Sequence, residues 1–239
     1  MRIWRVEPYM KCLVIIPAYN EGGNLARLLT ALRQTAPEFD CIVVNDGSSD
    51  DTAAICRAQG CRVLTLAVNL GIGGAMQTGY RYAAQNGYDA AVQVDGDGQH
   101  DPAYLAAMLE KLTAQDADMV IGSRFLEGEG YQSTQLRRWG IRYFSFLIRL
   151  LTGKTVTDPT SGYRMVRKEL IETFAADYPP DYPEPESVVS VLRHGRKVVE
   201  IPVQMLPRAG GSSSIGAYAS LYYTIKVTFA ILLEELRKK

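Results

Sequence analysis

Histidine is almost missing from this chain: His100 and His194 are the only two, too few and too far apart to suggest a metal cluster built on imidazole. Cysteine is scarce as well. Cys12, Cys41, Cys56 and Cys61 form no CxxC and no paired His/Cys spacing, which sets aside a zinc module and a disulfide framework. Cys12 and Cys41 fall in or beside apolar runs, where a thiol behaves as a small hydrophobe, and a reducing compartment is the simple reading. Neither charge is in excess, with 26 Lys and Arg against 26 Asp and Glu. Global charge therefore gives no reason to expect a nucleic-acid partner. Met1–Lys11 holds Arg2, Arg5 and Glu7 but no apolar signal-peptide core, so a cytoplasmic protein is expected unless a later segment anchors it. A GxGxxG fingerprint is also missing, which disfavours a dinucleotide-dependent dehydrogenase.

What is present is alternation. The 239 residues suit one large α/β domain, with or without an appendage. Apolar runs at Cys12–Ile16, Cys41–Val44, Val63–Leu66, Ala90–Val94 and Met119–Ile121 alternate with helical patterns over Asn24–Arg33, Asp51–Ala58, Ile72–Asn86 and Pro102–Thr113. Such a ladder predicts a mostly parallel central sheet with helices on both faces. Ligands of these sheets bind at the carboxyl ends of the strands. The second half differs: a helix over Gln135–Leu151, a turn-forming Asp158–Arg164, a Pro-rich acidic Tyr178–Glu186, a flexible Ala209–Ser214 and a last helix from Ala217 to Leu236.

Four polar segments follow the first four strands and share one sheet edge. The sharpest is Asp95-Gly96-Asp97-Gly98-Gln99-His100. Two aspartates around a glycine offer a hard divalent cation oxygen ligands with little bulk, and the Gln99 carbonyl can complete the set. A plain Asp-Gly turn is the alternative. His100 is read as supporting that acidic site from behind. Glu21 and Asp46 suit hydrogen bonding to a base or ribose, or else cap helices, and Asp50 reads as an N-cap. Gly71, Gly73 and Gly74 permit close backbone approach to a ligand or tight helix packing.

With these segments in place, the sequence resembles family 2 of the inverting, GT-A-type glycosyltransferases, and within it the dolichol-phosphate mannose synthase-like, polyprenyl-phosphate branch. The resemblance rests on PAYNE (Pro17–Glu21), NDGSSD (Asn45–Asp50), NLGIGGA (Asn69–Ala75), DGDGQHDP (Asp95–Pro102), GSR (Gly122–Arg124), DPTSGYR (Asp158–Arg164) and PRAGGSS (Pro207–Ser213). It implies a GT-A fold, with Pro17, Tyr19, Glu21 and Asp46 lining the nucleoside pocket beside the Gly71 loop. It further implies that Asp95, Asp97 and Gln99 hold the diphosphate through Mg²⁺ or Mn²⁺, and that Arg124, Arg138 and Arg208 surround phosphates. Departures are Asn45 where the family often has Asp, no lysine over Gly211–Ile215, and Arg142 where a small polar residue is usual.

Such an enzyme would move a sugar from a nucleotide diphosphate, UDP favoured over GDP, to polyprenyl phosphate at the cytoplasmic membrane face. A phosphate acceptor is largely ionised near neutrality, its second pKa being about 6, and needs no strong base. Transfer to a growing cell-wall or capsule saccharide is the alternative and would need a carboxylate base. Asp158 is the candidate base, or else a turn-starter before Pro159; Glu184 and Glu186 follow it. A nucleotide-sugar-binding protein without turnover is a second alternative. On Gln135–Leu151, Arg138, Arg142, Ser145 and Arg149 form a stripe beside aromatic surface, which suits a membrane interface or an ordinary core helix. Ile215–Leu233, with Lys226 as its one charge, is read as lying in the interface, with core packing and spanning as alternatives. Residues 1–214 are thus expected to be catalytic and 215–239 an amphipathic, membrane-facing helix, with a separate small membrane protein as a conceivable partner.

Overall fold

Runs of apolar residues separated by polar turns become strands separated by helices. β1 (Cys12–Ala18) leads into α1 (Gly22–Thr35), β2 (Asp40–Asn45) into α2 (Thr52–Ala58), and β3 (Arg62–Thr65) into α3 (Gly71–Gln85). β4 (Ala90–Gln93) passes through a 3-10 turn at Pro102–Tyr104 into α4 (Leu105–Ala114). Then come β5 (Met119–Ser123), α5 (Gln135–Thr152), β6 (Arg164–Arg167), α6 (Lys168–Ala176), α7 (Pro183–Arg193) and β7 (Val198–Pro202). The computed structural model describes residues 10–126, 135–181, 183–207 and 224–231, the last stretch helical.

The described strands form one sheet in the order β3-β2-β1-β4-β6-β5-β7. Every pairing is parallel except the two made by β6, with β4 and with β5. The carboxyl ends of six strands therefore share an edge, and the segment leading into β6 arrives at that same edge. β1 lies centrally and all seven of its residues are buried, as a strand covered on both faces requires. Its pleat divides the core in two. Leu13 and Ile15 join Met76 and Tyr80 of α3, Phe144 of α5 and Phe174 of α6. Val14 and Ile16 join Leu25 and Leu28 of α1 and Met108 of α4. Each such side chain contributes about 1.5–3 kcal/mol on burial. β3, at the sheet edge, is only half-buried and starts on Arg62, a charge that discourages edge pairing.

Helices on both faces and a mostly parallel sheet are what the alternation predicts. The second half hides more. β6 is the four-residue RMVR, too short and too charged at its ends to stand out as a strand. The Pro-rich acidic stretch is in part a helix start: Pro183 opens α7, with Glu184 and Glu186 in its first turn. Proline suits that position because its missing N–H would have no partner there, and the acids complement the helix dipole. Ala209–Ser214 and most of the last helix lie outside the described residues. Within 224–231, Val227 and Ile231 are buried in the core while Ile225 and Phe229 are exposed, and Lys226 pairs with Asp181 at 2.6 Å. No helix among the described residues is long and apolar enough to cross a membrane.

α3 crosses β1 so closely that a Cβ on Gly79 would overlap the Ile15 side chain. Gly79→Ala is expected to lower stability by about 1–3 kcal/mol through overpacking, read as a lower urea midpoint with an unchanged denaturant slope.

Candidate active site

The first three strand exits are laced together by side chains. Asn20, in a left-handed conformation (φ 56°), donates its N–H to Ser48 Oγ at 2.9 Å and accepts from the Ser49 N–H at 2.9 Å. Buried Asp46 accepts from the N–H groups of Leu70 at 2.7 Å and Gly71 at 2.9 Å. It thereby fixes the glycine turn ahead of α3, where Gly71 has φ 77°. Asp50 accepts from Gly22 N–H at 3.1 Å and Thr52 N–H at 3.0 Å. Burial alone would raise its pKa, but a bond from the Thr52 hydroxyl, with these two, outweighs it and holds the carboxyl below its usual value. Asp50 therefore serves the starts of both α1 and α2. Glu21 is half-buried and accepts from Asn24 Nδ2 at 2.7 Å. Pro17 is buried and Tyr19 is 51% exposed. Gly73 packs against the carbonyls of Pro179 and Pro180, a helix-packing role.

The acidic turn follows β4. Asp97 is buried and accepts from the Gln99 N–H at 3.0 Å. Asp95 accepts from Gln93 Nε2 at 2.8 Å, and its side chain is 36% exposed. The Asp95 N–H donates to His100 Nδ1 at 3.0 Å. Neutral His100 must then carry its proton on Nε2, which faces Asp95 Oδ2 at 3.7 Å. Tyr163 stacks on the imidazole with centroids 4.7 Å apart. His100 thus supports the acidic turn from behind, as expected. From the other side comes Gly162, where a Cβ would stand 2.8 Å from Gln93 Nε2 and 3.4 Å from Asp95 Oδ2. The glycine keeps that flank of the carboxylate open. Leu206 N–H donates to the Gln99 carbonyl at 2.9 Å, so the chain leaving β7 also reaches this turn. Arg208, two residues on, lies outside the described residues.

Two carboxylates and one amide oxygen are hard donors suited to Mg²⁺ or Mn²⁺. No group of three or more His, Cys, Asp or Glu side chains among the described residues could cage a metal. The donor set fits a cation that takes its remaining ligands from a diphosphate.

Asp158 meets a geometry different from that of a base. It is fully buried, and Arg124 grips it in a fork: Nε to Oδ2 at 2.7 Å and Nη2 to Oδ1 at 2.7 Å. The Arg124 N–H also donates to Oδ2 at 3.1 Å. Behind the pair, Glu200 accepts from the N–H groups of Thr157 at 2.8 Å and Asp158 at 3.0 Å. Asp158 is therefore the anchor of Arg124, and a general base needs a reachable lone pair that this one does not offer. Arg138 stands exposed on α5, which packs against α7.

The sequence reading missed Arg164. Its guanidinium is buried and donates to the carbonyls of Pro159, Ser161 and Glu184, each at 2.6 Å, and to Ser187 Oγ at 2.8 Å. It ties the segment before β6 to the start of α7. This brings in Glu184, whose pKa is raised by burial against the opposing charge of Arg164, with Asp95 raising it further and Arg124 lowering it. An arginine ending a turn motif looks like a surface charge, and only its burial distinguishes it.

Comparison with known proteins agrees with this arrangement. The family model for glycosyl transferase family 2 matches residues 13–174. The chain belongs to glycosyl transferase family 2. It is 34% identical to an undecaprenyl-phosphate mannosyltransferase of Micrococcus luteus, over 86% of this chain and 88% of that protein. It is 30% identical to a polyprenol monophosphomannose synthase of Mycolicibacterium smegmatis, over 88% of this chain and 83% of that one. Among solved structures, glucosyl-3-phosphoglycerate synthase from Mycobacterium tuberculosis, in complex with Mn²⁺, UDP and its glucosylated product, superposes with a TM-score of 0.71. That match covers 94% of this chain and 79% of the other at 20% identity, so it establishes the GT-A fold alone.

In this glycosyltransferase, Asp158→Asn is expected to cost about 3–5 kcal/mol by leaving Arg124 buried beside a neutral partner. The double variant with Arg124→Gln should lose less than the sum of the single changes. Urea denaturation of the four proteins measures this. Unchanged stability with lost turnover in Asp158→Asn would instead mark a base.

Proposed function

We propose that this glycosyltransferase moves a hexosyl group from a nucleoside diphosphate sugar, UDP in our reading, to polyprenyl phosphate at the cytoplasmic face of a membrane. The observation that carries the acceptor class is the sealing of Asp158 by Arg124. A hydroxyl acceptor needs a base within reach, whereas a phosphate acceptor arrives ionised. The names of both curated relatives, each acting on a polyprenyl phosphate, support the same class. They also name mannose, which keeps GDP donors in the test.

In this reading Pro17, Tyr19, Glu21 and Asp46 shape the nucleoside end, with the Gly71 turn held in place by Asp46. Asp95, Asp97 and Gln99 hold Mg²⁺ or Mn²⁺, which when bound offsets charge on the leaving diphosphate. Asp158 orients Arg124, and Arg138 and Arg208 add positive charge for phosphate oxygens. Holding an ionised acceptor in line with the anomeric carbon then does most of the work.

The membrane side rests on α5. Ile141, Phe144 and Ile148 are buried, while Trp139, Tyr143, Phe146 and Leu150 are exposed at successive turns, next to exposed Arg138, Arg142 and Arg149. Phe229 adds to the exposed apolar surface, and Tyr143 Oη lies 3.0 Å from Thr228 Oγ1. Aromatic surface beside arginines suits anionic headgroups. In this reading residues 1–214 act as the catalytic part and 215–239 as an appendage turned toward the membrane, whose described residues 224–231 bury Val227 and Ile231 and expose Ile225 and Phe229; a separate small membrane protein is the proposed partner.

Purified protein would be incubated with Mg²⁺ or Mn²⁺, labelled UDP- and GDP-sugars and undecaprenyl phosphate, then extracted with butanol. Label in the organic phase, abolished by EDTA and reduced about 100-fold or more in Asp97→Ala, is the expected result. Label that reaches only an added saccharide would overturn the lipid reading. For the membrane side, Phe146→Ser with Leu150→Ser should weaken sedimentation with phosphatidylglycerol vesicles while leaving nucleotide binding unchanged.

A further inference from the structure

At the sheet edge opposite the active site, where β1, β2 and β3 begin, a cavity of about 830 Å³ is lined by Cys41 and Cys61 together with Lys11, Arg33, Arg57 and Arg62. Asp40 is the one carboxylate among its lining residues, so the cavity is positively charged. The two sulfurs are 3.8 Å apart. They stand there because β2 and β3 run in parallel register with Ile42 beside Arg62, and the cysteines are one step earlier on each strand. Neighbouring strands are about 4.8 Å apart, within the Cα separation of about 4.4–6.8 Å that a disulfide spans.

We propose that Cys41 and Cys61 are a reactive dithiol, which a small anionic disulfide of the glutathione-disulfide class converts into an intramolecular disulfide. The hydrogen bond with Cys41 draws the Cys61 thiol below its ordinary value, outweighing burial, and Arg33 acts in the same direction. Cys12 and Cys56 contrast with it: burial pushes them up to about 12 and about 11. In the first step the Cys61 thiolate attacks one sulfur of the small disulfide, forming a mixed disulfide and expelling one small thiolate. Cys41 then loses its proton to solvent and attacks Cys61 Sγ, expelling the second thiolate. Overall, two protein thiols are oxidised and one small disulfide is reduced to two thiols. The arginines and lysine of the cavity attract the carboxylates of the incoming reagent.

The test is incubation of the full chain with oxidised glutathione or with cystamine, a cationic disulfide of similar reactivity, followed by alkylation and peptide mapping. Expected are a loss of two hydrogens, linked peptides carrying Cys41 and Cys61, and alkylated Cys12 and Cys56. At low salt oxidised glutathione should react about tenfold faster than cystamine, a preference reduced by Arg33→Gln and by high salt. Cys41→Ser should stop at the mixed disulfide. Alkylation of both Cys41 and Cys61 after treatment, or a Cys56–Cys61 link in their place, would overturn the proposal. Equal rates for the two reagents would overturn the anionic preference.

Discussion

Strands that end together along one edge leave backbone N–H groups there without ladder partners, and each must find an acceptor or lie in water. In this protein much of the motif chemistry meets that demand. Asp46 serves Leu70 and Gly71, Asp50 serves Gly22 and Thr52, Asn20 serves Ser49, Asp97 serves Gln99, and the His100 imidazole serves Asp95. One set of side chains therefore builds the turns and furnishes the polar floor of the site. Capping and ligand binding are not rival explanations of such residues. A carboxylate that fixes the Gly71 turn also sets where the backbone of that turn lies on the exit edge.

Reversal of β6 does comparable work on the far side of the acidic turn. Because it runs against its neighbours, the segment from Asp158 to Tyr163 reaches the same edge as the strand exits and closes on the acidic turn. Two buried arginines hold it there. Arg124 clasps Asp158 from the end of β5, and Arg164 gathers two carbonyls within the segment, of Pro159 and Ser161, and one from α7. Buried charges cost desolvation energy and are tolerated when their hydrogen bonds are complete. The result is rigidity, which the proposed transfer to an already ionised acceptor would need more than a proton acceptor.

The first half of this architecture was legible because each strand is a short apolar run closed by a polar turn, the pattern of parallel α/β sheets. β1 and β4 are buried on both faces and read as nearly continuous apolar runs. In the second half, tertiary contacts decide. RMVR becomes a strand because β4 and β5 flank it, and a proline-rich stretch becomes α7 because proline fits a helix start. The position of the acidic turn at the end of β4 was legible, whereas the surroundings of Asp158 were not. Asp-Pro reads equally as a turn-starter or a base, and only the fork from Arg124, 34 residues away in sequence, separates an anchor from a reactive group.

Directionality also sets the electrostatics of the two edges. After β1 to β4, a strand followed by a helix returning across the sheet places the N-termini of α1 to α4, with their partial positive charge, at the exit edge and their C-termini at the other. Arg33 and Arg57 sit in the last turns of α1 and α2, where they complement that negative end and also line the dithiol cavity. At the exit edge the N-termini should favour a diphosphate, yet Asp46 already holds the N–H groups of Leu70 and Gly71 at the start of α3, and Asp50 those of Gly22 and Thr52 at the starts of α1 and α2. These carboxylates take up the favourable field and add negative charge of their own. A diphosphate donor proposed to bind there would therefore need positive charge beyond that of the helix ends. In the proposed reading, a cation held by Asp95, Asp97 and Gln99, together with Arg124, would meet that requirement.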